Sequence, residues 1–159
     1  MTELKIRRAN SRDTLTLWRL ANDPMVRMSS FSPDFIPLDD HTAWLKSKLV
    51  SSECCIWILE LGGEIAAQIR YDRVEGNVAE IDFSVAPEFR GRGLGTKALT
   101  LTCGLASEEL GVSRVRGVVH NQNIASARAF LKAGFAEVKK CWENDQYCTM
   151  FERDCSFNA

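Results

Sequence analysis

The sequence predicts a mixed α/β fold, with helices on both faces of one central sheet. Apolar residues change between strand-like and helix-like spacing in the order β-α-α-β-β-β-α-β-α-β-β along the chain. The three middle strands follow each other through tight turns, which predicts an antiparallel meander. We expect an α-β-α sandwich in which a mixed, mostly antiparallel sheet of about seven strands is flanked by four helices. The 159 residues suffice for one domain, over residues 1–159.

The predicted strands are residues 4–7, 55–61, 64–71, 78–85, 115–119, 135–139 and 147–152. The predicted helices are residues 14–21, about 39–50, 94–110 and 123–133. Capping side chains over residues 10–13 precede the first helix, and Pro24 ends it because proline restricts the residue before it. After an irregular, aromatic loop over residues 31–37, Asp39 or Asp40 can cap the second helix.

The central strands are identified by their apolar patterns. Residues 55–61 are nearly all apolar, which is typical of a strand buried on both faces, and Gly62-Gly63 predicts a hairpin turn. Residues 78–85 alternate, so that Glu80 and Asp82 share one polar face. The long helix is identified by four apolar residues at helical spacing and a terminal glycine, namely Leu94, Ala98, Leu101, Leu105 and Gly111.

Composition excludes several classes of protein. The formal net charge of −1 lacks the basic excess of a dedicated nucleic-acid binder, so we expect no nucleic-acid partner. No stretch approaches the roughly 18–20 apolar residues of a membrane span, and the N-terminus lacks the apolar core of a signal peptide. We therefore expect a cytoplasmic protein with no membrane partner.

The cysteines and histidines predict neither disulfides nor metal. Because there is no secretion signal, the six cysteines are interpreted as reduced thiols. No Cys-x-x-Cys pair occurs and there are only two histidines, so we expect no metal site.

A glycine-rich turn over residues 90–96 lies between a predicted strand and the long helix. The start of a helix exposes unpaired N–H groups at the positive end of its dipole, and glycines let a bulky anion approach the backbone. Arg90, Arg92 and Lys97 add positive charge. The turn therefore predicts a phosphate or diphosphate cradle. The dinucleotide fingerprint fails because Thr96 occupies its third glycine position, and the P-loop spacing fails by one residue.

The pattern Arg90-x-x-Gly93-x-Gly95 resembles the acetyl-CoA diphosphate loop of the GNAT family of N-acetyltransferases. The strand over residues 78–85 is similar to the fourth strand of that family, and Asn123-x-x-Ser126, followed by Gly134-Phe135, is similar to a later segment of it. The resemblance covers nearly the whole chain. It implies a GNAT-like fold and acetyl-CoA as the cofactor.

In the family, the fourth and fifth strands splay apart and the pantetheine arm pairs with the fourth strand. The resemblance therefore implies cofactor contacts at Phe83, Ser84, Val85, Arg90, Gly91, Arg92, Gly93, Leu94, Gly95, Thr96, Asn123, Ser126 and Phe130. Asn123 can alternatively, or also, be a helix N-cap.

Transfer of an acyl group requires a neutral amine, so a base or a water chain must remove a proton. Glu80 is the candidate base, because it matches a glutamate that is catalytic in some members of the family. Asp82 points the same way and can hold a water relay. A backbone N–H near Val85 would polarise the thioester carbonyl. The alternative is that both carboxylates lie on an exposed, solvated sheet face.

A second group must give a proton to the leaving thiolate. Many members of the family use a tyrosine where this chain has Phe130. Tyr147, Cys148, Ser126 or water can substitute, and Tyr147 is the catalytic residue that we select. Its alternative is a strand aromatic that packs on the sheet.

In the family, the first helices and the loop between them usually form the wall of the acceptor site. Here residues 18–27 have the pattern W-R-x-x-N-D-P-x-V-R, followed by an aromatic loop and His-x-x-Trp. This resembles a subgroup that acts on nucleotide-linked amino sugars, as in the pseudaminic acid pathway, and also the ribosomal-protein N-terminal acetyltransferases. Aromatic and arginine side chains would stack on a base and pair with phosphate. The implied substrate contacts are Trp18, Arg27, His41 and Asp82, although Trp18 and Trp44 can equally be core residues.

Three functions remain as alternatives. The first is acetyl-CoA-dependent N-acetyl transfer to a small-molecule amine, a nucleotide sugar in particular. The second is acetylation of a protein N-terminus, and the third is a non-catalytic acyl-CoA-binding module. The protein is expected to be a monomer or a homodimer.

Overall fold

The computed structural model describes residues 3–155, so the predicted domain is described except at its two ends. One seven-stranded sheet has the order β1-β2-β3-β4-β5-β7-β6. The strands are β1 Leu4–Arg8, β2 Cys54–Leu61, β3 Glu64–Glu75, β4 Val78–Val85, β5 Arg114–His120, β6 Ala136–Glu143 and β7 Gln146–Asp154. Neighbouring strands are antiparallel except β4 and β5, which are parallel. The predicted mixed, mostly antiparallel sheet is confirmed.

The helices are α1 Thr14–Ala21, α2 Pro24–Met28, α3 Leu38–Val50, α4 Leu94–Leu110 and α5 Ile124–Lys132, with 3-10 turns at Ser11–Asp13 and Pro87–Phe89. The main core lies between the sheet and helices α4 and α5. A second core joins α1 and α3 to the opposite face, where Leu17 and Leu45 pack with Ile56 and Ile58. The sheet is thus covered on both faces, as the predicted sandwich requires.

Residues 3–155 contain five α-helices, one more than the sequence predicted. Pro24 ends α1, as expected, but it also occupies the first position of α2, where its missing N–H costs nothing. Asp23 caps this short helix by accepting from the N–H groups of Met25 and Val26. The expected cap of the next helix is wrong, because α3 begins after Pro37 and Asp39 and Asp40 lie in its first turn without capping it.

The buried face of α4 differs from the expected one. Leu94 and Ala98 are buried, as the apolar spacing predicted, but Leu101 and Leu105 are exposed. Thr102 and Cys103 are buried instead, and the Tyr71 hydroxyl on β3 lies 2.8 Å from Oγ1 of Thr102 and 3.3 Å from Sγ of Cys103. A hydroxyl and a thiol thereby supply part of a face that hydropathy alone assigns to leucines.

The interpretation of all six cysteines as reduced thiols is wrong for two of them. Cys141 and Cys148 lie directly opposite each other on β6 and β7 and form a disulfide. The pairing of the two strands brings these side chains together, which sequence spacing did not reveal. Cys54, Cys55 and Cys103 are free and buried, and Cys155 is free and half-buried.

Within residues 3–155, no helix is long and apolar enough to span a membrane. The same part of the chain holds no group of three or more side chains that could bind a metal ion.

Candidate functional site

The loop before α4 has the geometry of an anion cradle. Gly91 and Gly93 have left-handed φ angles of +79° and +75°, and a Cβ built on either would meet nothing within 4 Å. Gly93 occupies the N-cap position of α4, and within residues 3–155 no side chain accepts a hydrogen bond from the first turn of the helix. The N–H groups of Leu94, Gly95 and Thr96 therefore lack a helical or side-chain partner and can bind an anion.

The side chains around the loop have different roles. A Cβ on Gly95 would lie 2.9 Å from Cε1 of Phe83, so glycine allows α4 to approach β4 this closely. Arg92 is exposed beside the cradle. Arg90, in contrast, turns away and donates from Nη2 to Oδ2 of Asp23 at 2.6 Å. Positive charge next to the cradle therefore comes from Arg92 and Lys97, which are exposed, rather than from Arg90.

The parallel strands β4 and β5 separate beyond their first half. They pair only over residues 78–81 and 114–117. β4 nevertheless continues to Val85 and β5 to His120. The unpaired halves form a gap that we name the β4–β5 opening. The splayed strands implied by the family resemblance are thus present.

Two main-chain hydrogen bonds show which groups of β4 face the opening. The Asn77 carbonyl accepts from the start of β5, whereas the Ala86 N–H donates to β3. Because main-chain groups alternate in direction along a strand, those of Phe83 and Val85 face the opening. Those of Ser84 point to β3.

Phe130 lies in the core next to the opening. A Cβ on Gly117 would be 2.1 Å from its Cζ, so β5 needs glycine at this position. The Phe130 ring lies 5.0 to 5.6 Å from the rings of Phe83, Phe135 and Phe151. At 3% exposure it is a core residue, which argues against the expected direct cofactor contact.

Glu80 lies on the opposite face of β4, between Asp72 of β3 and Arg116 of β5. Within residues 3–155 its carboxylate makes no hydrogen bond and no ion pair. Burial and the charge of Glu143 raise its pKa above the usual value, and Arg116 only partly opposes them. Such a carboxylate is a better proton acceptor near neutral pH than an ordinary glutamate.

Asp82 follows one strand period further along the same face. Its Oδ2 accepts from Nε2 of Gln68 at 3.1 Å, and the Arg70 guanidinium lies 3.8 Å away. Gln68 also donates to the Ser84 hydroxyl at 3.0 Å. The Asp82 side chain is 57% exposed, so it can meet a ligand above the sheet.

Sequence reasoning missed a cluster of charged side chains on β3 and α3 that lies beside Glu80 and Asp82. Arg70 donates to Asp72 at 2.7 Å, and Lys48 donates to the same carboxylate at 2.8 Å. The Arg70 guanidinium also lies 4.9 Å from the ring centre of Trp44. The only available signal was the alternation of polar residues along β3, and the register with β4 was needed to interpret it.

Tyr147 and Cys148, two of the considered proton donors, are poorly placed for that role. Tyr147 packs edge-on against Trp142. Side chains alternate along β7, and Glu152 lies on the face of Glu80, so Tyr147 lies on the opposite face. Cys148 is in the disulfide and has no thiol proton to give.

Trp18 and Arg27 hold the loop that follows α2. Nε1 of Trp18 donates to the Ile36 carbonyl at 2.7 Å. Arg27 donates to the carbonyls of Ser32 and Asp34 at 2.7 and 3.2 Å. Their polar groups are therefore engaged by main-chain oxygens rather than directed at a substrate.

His41 lies inside the molecule at 4% exposure. Its ring is 5.6 Å from that of Trp44, and its Nε2 has no hydrogen-bond partner among the described residues. Burial lowers its pKa. This burial argues against the substrate contact that the sequence suggested.

Asn123 caps α5, because its Oδ1 accepts from the Ser126 N–H at 3.2 Å. The capping alternative is therefore realised. The cap occupies only the side-chain oxygen, so the amide NH₂ of Asn123 and the hydroxyl of Ser126 remain candidates for ligand contact.

The whole architecture is similar to that of known proteins. A family model described as an acetyltransferase (GNAT) domain matches residues 3–136. Among solved structures, AAC(6')-Ib in complex with ribostamycin and coenzyme A has a TM-score of 0.81 at 19% identity, covering 96% of this chain and 93% of that chain. The protein yncA from Salmonella typhimurium, with acetyl-CoA, has a TM-score of 0.82 at 17% identity, covering 98% and 96%.

Spermidine N-acetyltransferase from Vibrio cholerae, in complex with CoA and spermine, has a TM-score of 0.84 at 14% identity and covers 95% of each chain. Identities this low establish similarity of fold. No curated protein sequence matches the chain at a significant level.

Proposed function

The chain belongs to the GNAT family of acetyltransferases, and from that premise we propose that it transfers the acetyl group of acetyl-CoA directly to the primary amine of a small molecule. The observation that carries this proposal is the uncapped start of α4 behind Gly91 and Gly93, next to the β4–β5 opening. A diphosphate fits the start of α4, and the extended pantetheine arm of the cofactor fits the β4–β5 opening.

The diphosphate of the cofactor would bind to the N–H groups of residues 92–96. Open space in front of Gly91 and Gly93 admits its bulk, and the dipole of α4 favours its charge. Arg92 and Lys97 are exposed nearby and strengthen the local positive potential. Asn123 and Ser126, at the start of α5, are proposed as further cofactor contacts.

The opening would hold the pantetheine arm. Phe83 and Val85 offer main-chain donors and acceptors there, in the manner of an added strand. The N–H of Val85 is the proposed donor to the carbonyl oxygen of the acyl group, where negative charge develops. Acetyl-CoA, when bound, supplies the activated thioester.

Glu80 is proposed to take the proton from the attacking amine, directly or through water. As the new C–N bond forms the C–S bond breaks, and water or the Ser126 hydroxyl would give a proton to the sulfur that leaves. Its raised pKa and its lack of a hydrogen-bonding partner suit it to accept and release a proton. Asp82, exposed on the same face, is proposed to bind the acceptor or to hold the relaying water. The carboxylates favour an acceptor that approaches as an ammonium.

The charges on this face support a small cationic amine as the acceptor. Arg70 and Lys48 both pair with Asp72, and Arg70 also lies 3.8 Å from Asp82, so two carboxylates balance these two cations. Arg116 pairs with Glu152 and Glu75. Glu80, in contrast, has no cationic partner within hydrogen-bonding distance. A polyamine or an aminoglycoside, the ligand types named for two similar structures, has the complementary charge.

A nucleotide-linked amino sugar is the second candidate acceptor. The pattern W-R-x-x-N-D-P-x-V-R favours it through resemblance to enzymes that act on such sugars. Against it, Trp18 and Arg27 are engaged by main-chain carbonyls.

The test is an assay of thiol release with a panel of acceptors at saturating acetyl-CoA. The panel contains spermidine, ribostamycin, a nucleotide-linked amino sugar and a peptide with a free N-terminus. Turnover with spermidine or ribostamycin supports the first candidate, and turnover with the sugar alone supports the second. Turnover with the peptide alone selects N-terminal acetylation, and CoA binding without turnover on a broader amine panel would contradict an enzymatic role.

A further inference from the structure

Asp23 connects the cradle loop to the segment on the acceptor side. Its Oδ2 accepts from Nη2 of Arg90 at 2.6 Å. The same oxygen accepts from the N–H groups of Met25 and Val26 at 3.1 and 3.2 Å, at the start of α2. Nη1 of Arg90 also contacts Sδ of Met25 at 3.3 Å. One carboxylate thus binds two parts of the fold that lie 67 residues apart in sequence.

Residues 22–37, which we name the acceptor wall, are held together as one unit. Asn22 exchanges two hydrogen bonds with the main chain of Ile36, at 2.9 and 2.8 Å. Arg27 donates to the carbonyls of Ala21, Ser32 and Asp34, and so bridges both ends of α2 and the following loop. A shift at Asp23 is therefore transmitted to the loop rather than absorbed by it.

The wall also reaches the end of the β4–β5 opening. The carbonyl of Phe31 accepts from Nδ2 of Asn144 at 2.9 Å, and the Phe31 ring lies 6.1 Å from the ring of His120 at the end of β5. The acceptor wall therefore extends from the cradle loop, at Asp23, to the far end of the opening, at Phe31. His120 lies four residues after Arg116, the β5 partner of Glu80, so Phe31 meets the same face of the sheet on which Glu80 lies.

We propose that Asp23 is a positioning residue that couples cofactor binding to the order of the acceptor wall. This inference rests on the proposed binding of CoA at the cradle. A ligand that orders the cradle loop fixes Arg90, and the Arg90–Asp23 pair then fixes α2 and the loop attached to it. Since coupling between two sites is reciprocal, an acceptor bound at the wall strengthens cofactor binding by the same factor. The pattern N-D-P-x-V-R thereby has a role without touching the acceptor.

The pair is suited to this role by its burial. The Asp23 side chain is 13% exposed and that of Arg90 is 29% exposed. Burial acts to raise the pKa of Asp23, but the hydrogen bonds from Arg90 and from the N–H groups of Val26 and Met25 outweigh it and hold the pKa below its usual value. Separating the partners of a partly buried ion pair leaves a charge without its partner and costs free energy, so the Arg90–Asp23 pair holds the loop before α4 and helix α2 together.

The test is hydrogen exchange of the main-chain amides with and without saturating CoA, which needs no knowledge of the acceptor. In the native protein, we expect CoA to slow exchange over residues 92–96 and also over residues 29–37. In Asp23→Asn, which keeps an N-cap oxygen but loses the charge, protection over 92–96 should remain. Protection over 29–37 should fall by about 5-fold or more, the lower end of usual coupling factors.

The matched control is Asp13→Asn. Asp13 also accepts from a main-chain N–H and pairs with an arginine, Arg7, but at the other end of α1. This variant should lower stability yet leave the CoA-induced protection of residues 29–37 intact. Arg90→Gln repeats the test from the other side of the pair, in case Asp23→Asn folds poorly.

The outcomes separate this inference from the proposed function. Protection of 92–96 alone in the native protein, or unchanged protection of 29–37 in both Asp23→Asn and Arg90→Gln, would overturn the coupling and leave CoA binding intact. No protection anywhere would remove CoA binding, and the coupling with it. The coupling is established if Asp23→Asn or Arg90→Gln loses the CoA-induced protection of residues 29–37 but keeps that of residues 92–96, while Asp13→Asn keeps both.

Discussion

Glu80 combines the three properties that a general base needs at the scale of one residue. Its carboxylate is half-buried, it has no hydrogen-bonding partner among residues 3–155, and its pKa is raised. Burial is the largest cause of that shift and the charge of Glu143 is the second. Because of these properties, we expect replacement of Glu80 to lower activity but to raise stability.

For activity, Glu80→Gln should lower kcat by about 10²- to 10⁴-fold, the usual contribution of a positioned base. In the native protein the acid limb of the kcat/KM profile should lie above the ordinary glutamate range, because the pKa of Glu80 is raised. The measurement is the pH–rate profile of the native protein and the variant with one acceptor. An unaltered profile would remove Glu80 as the base.

Asp82→Asn is the matched comparison on the same strand face. Asp82 is exposed and has ordinary partners, so its loss should raise the KM of the acceptor more than it lowers kcat. The acid limb should persist in this variant. If Asp82→Asn abolishes the limb and Glu80→Gln retains it, the two roles are reversed.

For stability, Glu80→Gln should raise the Tm at neutral pH. The folded pKa of Glu80 is above its ordinary value of 4.5, so the folded state binds more protons than the unfolded state between the two values. Native stability therefore falls as the pH rises through that window, and glutamine avoids the loss. The measurement is the Tm difference between variant and native protein from about pH 4 to pH 7, which should grow with pH. A constant difference would show that the carboxylate is not destabilised by folding.

Residue-level prediction worked where a strand alternates, and it did not reveal the hydrogen bonds that engage side chains elsewhere. The pattern of β4 placed Glu80 and Asp82 on one polar face, as observed. Trp18 and Arg27 were interpreted as substrate contacts, yet both bind main-chain carbonyls. The Arg90–Asp23 pair depends on how α2 docks against the cradle loop, which no local pattern encodes.

At the scale of elements, the start of α4 is the feature on which the site depends. Left-handed Gly91 and Gly93 turn the chain into the helix without presenting side chains. A third glycine, Gly95, lets the first turn approach Phe83. The helix therefore begins with free N–H groups at a position where the strands open.

Gly93→Trp should block the cradle. The left-handed φ of Gly93 is strained for any other residue, and the new side chain would project into space that is open in the native protein. We expect CoA affinity to fall by at least about 10-fold, which corresponds to roughly 1.4 kcal/mol. The measurement is the CoA-dependent rise in Tm, which follows from binding by mass action.

Gly63→Trp is the control for backbone strain. Gly63 has a φ of +84° and equally open space, but it lies in the turn between β2 and β3. It should lower the basal Tm to a similar degree and retain the full response to CoA. Equal responses in the two variants would contradict the cradle assignment.

Gly117→Ala should destabilise the parallel pair. Its Cβ would overlap the Phe130 ring at 2.1 Å, and overpacking of this kind usually costs about 1–3 kcal/mol of unfolding free energy. Phe130→Leu should partly restore stability in the double variant, because the ring is then absent. The measurement is denaturant unfolding of the two single variants and the double variant, and strict additivity would show that the two sites do not interact.

Sequence patterns predicted elements well where apolar periodicity is strong. α1, β4 and α4 have the expected limits. The extension of β3 beyond residue 71 was missed because its continuation is charged, and those charges are neutralised only by neighbours such as Lys48. The five-residue helix α2 was missed because it is too short for periodicity and begins at a proline.

At the scale of the whole molecule, the helices on the two faces of the sheet support different parts of the site. Helices α4 and α5 and the main core support the cradle and the opening, whereas α1 and α3 support the face of Glu80 and Asp82. The element order was sufficient to predict this sandwich. The acceptor was not predictable in the same way, because its recognition depends on the docking of the acceptor wall and on which charges remain unpaired.

Titration calorimetry of acetyl-CoA into the purified, folded chain tests the central claim most directly, namely that the start of α4 binds the diphosphate of a thioester carrier. The account predicts binding of one molecule per chain, with saturation below about 1 mM, the upper end of usual KM values. Absence of binding heat at millimolar acetyl-CoA, at two temperatures and with the fold verified by circular dichroism, would contradict it.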